Sequence, residues 1–525
     1  MAALENNKQL PNDTKLLTEI KYPELFIGLV APIGVDTKEI SLILKNCLKQ
    51  VGYNSTVIKV TELMKSINTG IELHESPLEK RYNSYIDYAN KVRELLNNEK
   101  NDKSKGNDAM AMLTIARILD ERRATTGSDT KPIEKHAYII DQLKRPEEIQ
   151  LLRKVYGKLF LLISLHSTRQ NRLQLLKLKI KRSHTDNSNK DYSSEAESLI
   201  RRDLSEEETQ HGQRVVDAFP LADVTIDANQ KQKSKEEITR FIRLIFGHNF
   251  ITPTRDEYGM YAAKNASLRS ADLSRQVGAA IFSTDGEVVT MGSNEVPKPG
   301  GGTYFEGDAD DERDFKQGGD YNEHEKYAIV REFVKRLDEH KCFSDKISQS
   351  NTLISLDQKV EYLLNSGPEL KKARVMDLLE FGRQVHAEMN AICDAARLGK
   401  SIKHSTLFCT TFPCHMCAKL ILASGITRVV YIEPYPKSYA EDMYSNAIAL
   451  EANNTNTHKV LFQPFTGIAP FRYRDFFEKG KRKEGGLAQD WKEGEPAPNF
   501  GIISETYLEL EPRVVAQLAS RIARL

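Results

Sequence analysis

The sequence is poor in the features that mark secreted, membrane-spanning or nucleic-acid-coating chains. Six cysteines in 525 residues are too few for a disulfide framework. Cys47, Cys342, Cys393 and Cys409 are scattered, whereas Cys414 and Cys417 stand close enough to share a metal ion or a redox step in a reducing compartment. Neither sign of charge dominates: 75 Lys and Arg face 74 Asp and Glu, so no overall field draws the chain to nucleic acid or anionic lipid. No stretch approaches the roughly 18 apolar residues of a membrane span. The N-terminal MAALENNKQLPNDTK has no apolar core of the kind a secretory signal needs. These absences lead us to expect a cytoplasmic protein with no membrane partner, long enough for two to four domains.

What is present is an alternation of short apolar runs and amphipathic stretches. After a polar tail (residues 1–22), LFIGLV (25–30) reads as a buried strand and APIGVD as a loop. A helix with the stripe Ile40, Ile43, Leu44, Cys47, Leu48 and Val51 follows, and then the strand STVIKV. Strand, helix and strand in so short a span imply a parallel sheet. The runs AYII (137–140), LFLLISL (159–165) and ADVTIDA (222–228) continue it, and 177–197 reads as a mobile surface excursion. The first domain is expected to end near 250 and the second to occupy 251–525. In the second, VGAAIFS and VVTMGSN flank Asp285-Gly286, a strong hairpin turn. An acidic, Gly-rich insert begins at 298 and, with two expected helices, runs to 380.

Two helix starts carry the chemistry. VHAEMNAI (385–392) opens one helix, and TTFPCHMCAK (410–419) opens another, with Pro413 in its first turn. Cys414 and Cys417 then share a face at a helix N-terminus, where thiolates are favoured. His386 with these two cysteines gives three zinc ligands and leaves the fourth tetrahedral position open, as catalytic rather than structural zinc requires. Glu388 is placed to shuttle protons. The order H-x-E, then P-C-x-x-C, is the pattern of zinc nucleobase deaminases.

From residue 258 onward the sequence resembles the deoxycytidylate deaminase family. The residues that carry the likeness are AAKNASLRSADLSRQVGAAIFSTDGEVVTMGSNEVP (262–297), HAEMNAI (386–392), PCHMCAK (413–419) and SGITRVVY (424–431). The resemblance implies one catalytic zinc on His386, Cys414 and Cys417, Glu388 as acid/base, and Asn294 on the deoxyribose. The fold it implies is a three-layer αβα domain. Taken whole, the chain resembles the anti-phage dCTP deaminases, in which a P-loop kinase-like α/β domain precedes the deaminase. FIGLVAPIGVDT (26–37), HGQRVVDAFPLADVTID (211–227) and PFTGIAPFRYRDFF (464–477) add to that likeness. It implies deamination of dCTP or dCMP, loss of the dCTP pool, a homo-oligomer such as a hexamer, and an RNA antitoxin or a phage-derived trigger as partner.

Some expectations rest on residue chemistry alone. A working phosphate loop reads G-x-x-x-x-G-K-[ST]. Here Ala31 and Asp36 replace the glycines and Thr37 the lysine, which argues against phosphoryl transfer. The turn with Gly28, Gly34, Asp36 and Thr37 is left either as a nucleotide- or regulator-binding site or as purely structural. Asp308, Asp310, Asp311, Asp314 and Asp320 are candidates to hold magnesium for a triphosphate. Tyr435 and Lys437 are candidates for the substrate. Two rival functions stay open: a polynucleotide deaminase, acting on tRNA or single-stranded DNA, and a nucleotide- or RNA-binding switch with structural zinc.

Overall fold

The structure, a computed structural model, describes residues 20–97, 106–184, 190–204, 206, 211–343, 355–366, 373–435, 438–450, 458–479, 482–484, 487–488, 491, 496–500 and 506–525. The chain divides into two units, Met1–Thr254 with Thr466–Leu525, and Arg255–Phe465.

The first unit is built on a mostly parallel sheet. β1 (Leu25–Val30) lies at its centre, entirely buried because parallel strands are covered on both faces. β2 (Asn54–Lys59), β3 (His136–Leu143), β4 (Phe160–His166) and β5 (Val224–Asp227) complete the parallel strands, in the order β5-β4-β1-β3-β2. α1 (Thr37–Gln50) follows β1, and the six apolar residues of its stripe are all buried. Asp36 caps this helix: its carboxylate accepts from the N–H groups of Lys38 and Glu39, both at 3.2 Å. α2 (Leu78–Leu95), α3 (Ala109–Thr126), α4 (Pro146–Tyr156), α5 (Arg169–Ser183), α6 (Ser193–Leu204) and α7 (Lys231–Ile245) supply the other layers.

Two expectations are corrected here. The stretch 177–197 is not a surface excursion through its described length: α5 and α6 cover most of it. Leu176 and Ile180 bury against Ala196, Leu199 and Ile200, an apolar stripe masked by the many charges between. The tail 466–525 also leaves the second domain. β12 (Gly467–Ile468) pairs antiparallel with β5, and α12 (Thr506–Ile522) packs on α3. Arg122 of α3 explains the attachment: fully buried, it pairs with Glu24 at 2.8 Å and with Glu511 of α12.

The second unit has three layers. Its sheet runs β10-β11-β9-β8-β6-β7. β6 (Gly278–Phe282) and β7 (Val288–Ser293) form the expected antiparallel hairpin. β8 (Thr406–Thr411) runs antiparallel to β6, and β9 (Arg428–Glu433), β10 (Ile448–Leu450) and β11 (Val460–Pro464) lie parallel to β8. Side chains alternate across the sheet as the strand period requires. Ala279, Ile281, Leu407 and Val429 face α10 (Ala387–Arg397) and α11 (His415–Ser424), while Ala280, Phe282, Phe408 and Val430 face α8 (Arg255–Ser267). Within the insert, α9 (Tyr321–Glu339) and a short helix Leu356–Glu361 share a small apolar cluster of Val330, Val334 and Val360.

Candidate metal centre and substrate cavity

α10 is set on the sheet by close backbone approach. At Gly292 of β7 an added Cβ would stand 2.2 Å from the carbonyl oxygen of Ala387, so only glycine lets α10 lie this close. The Asn390 amide donates to the Ser293 carbonyl at 3.0 Å, and the Thr290 hydroxyl to that of Ala391 at 2.9 Å. These contacts fix the start of α10, where His386 is the N-cap residue with extended backbone and Glu388 lies in the first turn. α11 follows β8 directly. Cys414 is its N-cap and Cys417 lies in its first turn.

The two helix starts converge. Cys414 Sγ lies 3.3 Å and Cys417 Sγ 3.4 Å from His386 Nδ1. Among the described residues these three form the one group of His, Cys, Asp and Glu side chains positioned to share a metal ion. A tetrahedral zinc with bonds of about 2.3 Å to sulfur and about 2.0 Å to nitrogen would separate S and N by about 3.5 Å, so the donor set and its spacing fit zinc. Cys409 turns its thiol to the Val430 carbonyl, and His415 Nε2 lies 3.7 Å from Glu380, so neither supplies a fourth ligand. The three ligands sit as the sequence pattern places them.

Burial and mutual contact set the charge of this group. Hydrogen bonds from Cys417 and then from His386 outweigh burial and bring the Cys414 thiol down to about 4. Burial pushes Cys417 up, and the neighbouring Cys414 and Glu388 add to it. Burial opposes a proton on His386, but the Cys414 thiolate overrides it and leaves the imidazole above its ordinary value. Glu388, 4% exposed, is raised by burial first and by the Cys414 charge second. The Cys417 thiol donates to Glu388 Oε2 at 3.4 Å.

A cavity of about 140 Å³ opens on this group, lined also by Asn294, Arg275, Gln384 and Tyr435. The Asn294 amide is engaged with the chain: its oxygen accepts from the Val277 N–H at 2.7 Å and its nitrogen donates to the Arg275 carbonyl at 2.8 Å. It therefore shapes the wall segment 275–277. The Arg275 guanidinium lies over the Tyr435 ring at 5.2 Å. Lys437 lies outside the described residues. Sequence reasoning missed Gln384, which stands at a bend two residues before His386. Its Oε1 is buried with no hydrogen-bond partner among the described residues.

Among the described residues the acidic candidates for magnesium, Asp310 included, do not gather into a metal-holding group. Asp308 pairs with Lys298 at 2.9 Å, Asp311 with Arg313 at 2.7 Å and Asp314 with Arg383 at 2.9 Å, while Asp320 caps α9. Cations and N–H groups of the chain itself already satisfy these carboxylates. The degenerate phosphate loop also differs from expectation at one residue. Gly28 lies inside β1, where an added Cβ would meet Leu143 at 2.8 Å and Phe160 at 2.9 Å, so it serves sheet packing. Gly34 and Thr37 do line a cavity.

Residues 253–433 match the family described as "Cytidine and deoxycytidylate deaminase zinc-binding region". The C-terminal part of the chain carries a domain of the deoxycytidylate deaminase family. Deoxycytidylate deaminase of Enterobacteria phage T2 is 47% identical to this domain over 66 residues, which are 12% of this chain and 35% of the phage protein. Deoxycytidylate deaminase of Mus musculus is 26% identical over 177 residues, 34% of this chain and 63% of the mouse protein. The chain thus spans about a third of the phage relative's length and under two thirds of the mouse one. A solved dCMP deaminase from the cyanophage S-TIM5, in complex with dCMP and dUMP, aligns with 41% of this chain and 99% of its own, at 19% identity and a TM-score of 0.22. No described helix is long and apolar enough to cross a membrane.

Proposed function

We propose that the chain is a zinc-dependent hydrolase that deaminates deoxycytidine nucleotides to deoxyuridine nucleotides and ammonia. The observation that carries this reading is a buried carboxylate, Glu388, beside an incomplete His386, Cys414 and Cys417 ligand set on one cavity. Structural zinc needs no such neighbour. His386, Cys414 and Cys417 would hold the zinc ion, which would supply an activated water for attack at the ring carbon that bears the amine. Glu388 accepts a proton from the attacking water and hands it to the ring nitrogen. It then carries the second proton to the amine, which leaves as ammonia. Tyr435 walls the base, and Asn294 fixes the 275–277 segment while offering the rest of its amide to the sugar. Arg275, at the cavity edge, meets the phosphate.

The reading extends to dCTP as well as dCMP, to drainage of the dCTP pool in defence against phage, and to a cytoplasmic homo-oligomer under control of an RNA or phage-derived trigger. Support for these parts is the sequence resemblance over both halves of the chain. The first unit is then a P-loop kinase-like regulatory domain without phosphoryl transfer, a role consistent with the substituted loop.

The test is ammonia release from the purified chain offered dCMP, dCTP, CMP, CTP and a cytosine-containing oligonucleotide, with Glu388→Ala alongside. Turnover of free deoxynucleotides that is lost in the variant supports the proposal. Turnover of the oligonucleotide alone overturns it in favour of a polynucleotide deaminase. Activity equal in the variant removes Glu388 from the mechanism.

A further inference from the structure

A second cavity lies in the first unit, apart from His386, Cys414 and Cys417. It measures about 270 Å³ and opens where the residues after β1, β2 and β3 meet, at the carboxyl ends of the strands. In open α/β sheets this is where ligands bind. The volume lies just below the roughly 300–1,000 Å³ of small-molecule sites, which limits the occupant to something compact.

At the turn itself the backbone donors that would hold a phosphate are already occupied by the chain. Of the cations on the wall, Arg81, Arg93 and Lys144 are paired with Glu75, Glu148 and Asp203, while Lys38 and Lys59 also line it. Asp36 sits on the first N–H groups of α1, and Asp203 Oδ2 accepts from the Ile33 N–H at 2.6 Å. The other Asp203 oxygen holds Lys144 Nζ at 2.6 Å, and the same ammonium reaches the Ala31 carbonyl at 2.8 Å. Backbone donors at a helix start attract anions when they are open. Here two carboxylates fill and repel.

Elsewhere on the cavity wall the imbalance is the opposite. Asp141 gives one oxygen to the Thr37 hydroxyl at 3.2 Å, and its other oxygen has no hydrogen-bond partner among the described residues. Gln213, 6% exposed, likewise leaves its amide oxygen without one. Both residues line the cavity. A buried acceptor without a donor costs about 1–3 kcal/mol, a deficit that a ligand bearing N–H or O–H groups would relieve. Tyr82, Tyr85, Met64 and Met110 provide flat and adaptable apolar walls.

We infer that this cavity is a binding site for an uncharged nucleoside or nucleobase, with its ring against the tyrosine and methionine walls and its amine or hydroxyl donors on Asp141 and Gln213. It excludes the triphosphate that a phosphate loop at this turn would take. The site stands whether or not the second unit deaminates.

Equilibrium dialysis of the full chain against adenosine, guanosine, thymidine and deoxycytidine tests this, with ATP and inorganic triphosphate as further probes. The expected result is saturable binding of at least one nucleoside that weakens tenfold or more in both Asp141→Ala and Gln213→Met. ATP binds no more tightly than adenosine, and inorganic triphosphate does not compete. Sensitivity to these two variants separates this cavity from the one beside Glu388. Circular dichroism melting confirms that each variant is folded, and Gln213→Met decides alone if Asp141→Ala is not. No nucleoside bound, binding unchanged in the folded variants, or competition by inorganic triphosphate overturns the inference.

Discussion

At the scale of single residues, Glu388 has the clearest consequence. Glu388→Gln keeps the size and the neighbouring ligands but removes the proton carrier. Turnover should fall about 10²–10⁴-fold, the usual worth of a placed acid/base, while the zinc content measured by mass spectrometry stays at one per chain. Cys417→Ser should instead lose zinc and activity together. Gln384→Leu removes an amide whose Oε1 has no hydrogen-bond partner among the described residues, so folding should be unaffected. The KM for the nucleotide should rise roughly threefold to tenfold, the worth of one hydrogen bond, as steady-state kinetics would show. The convergence of His386, Cys414 and Cys417, with Glu388 beside them, was legible because the motif confines them to two short segments at helix starts. Gln384 was not, because a lone polar residue before a motif has no signature until the backbone path is known. Asn294 was visible, but its two bonds to the 275–277 backbone depend on a fold that brings those segments together.

Elements show how local chemistry and tertiary placement divide the work. The stripe of α1 and the Asp-Gly hairpin were readable because period and turn residues are local. Asp36 shows the limit: it reads as a residue that spoils a phosphate loop, and in the fold it is the helix cap. Asp36→Ala should cost about 0.5–2 kcal/mol in urea unfolding. A second expectation concerns pH, through His166 at the end of β4 and Glu237 in α7. Burial lowers His166 to about 4, so the unfolded chain binds the extra proton between about 4 and 6.5, and stability from this group is lost as pH falls through that window. Burial raises Glu237 to about 7, so the folded chain holds the extra proton between about 4.5 and 7, and stability is lost as pH rises. The two slopes oppose each other over most of the same range. Glu237→Gln should leave the His166 slope exposed and make the protein less stable at pH 4.5 than at pH 7, by on the order of 2 kcal/mol relative to the parent. Denaturant midpoints at the two pH values decide it.

For the whole molecule, hydrophobic pattern was enough to announce two α/β bodies, but not the way the chain is shared between them. Nothing local in PFTGIAPFRYRDFF or in the last helix says that both return to the first unit. The return rests on long-range partners, Gly467 with Thr225 and Glu511 with Arg122. Arg122→Met would leave Glu24 and Glu511 buried face to face without their cation. The expected loss is about 3–5 kcal/mol in the unfolding of the first unit, against little change for the zinc-bearing unit. Hydrogen exchange resolved by segment would report the two separately.

The split of the first unit also sets an order in time. Residues 255–465 are contiguous, so everything their unit is made of has been synthesised before translation reaches residue 466. The unit that begins first in sequence is completed last: the β5 edge waits for Gly467, and the Arg122 guanidinium for Glu511, across the whole synthesis of the other unit. A message cut short near codon 465 would therefore release a chain with an intact zinc site beside an open sheet edge and a half-paired buried arginine. That truncated product should be singled out by proteases at its older half, because residues 466–525 are what closes the first unit.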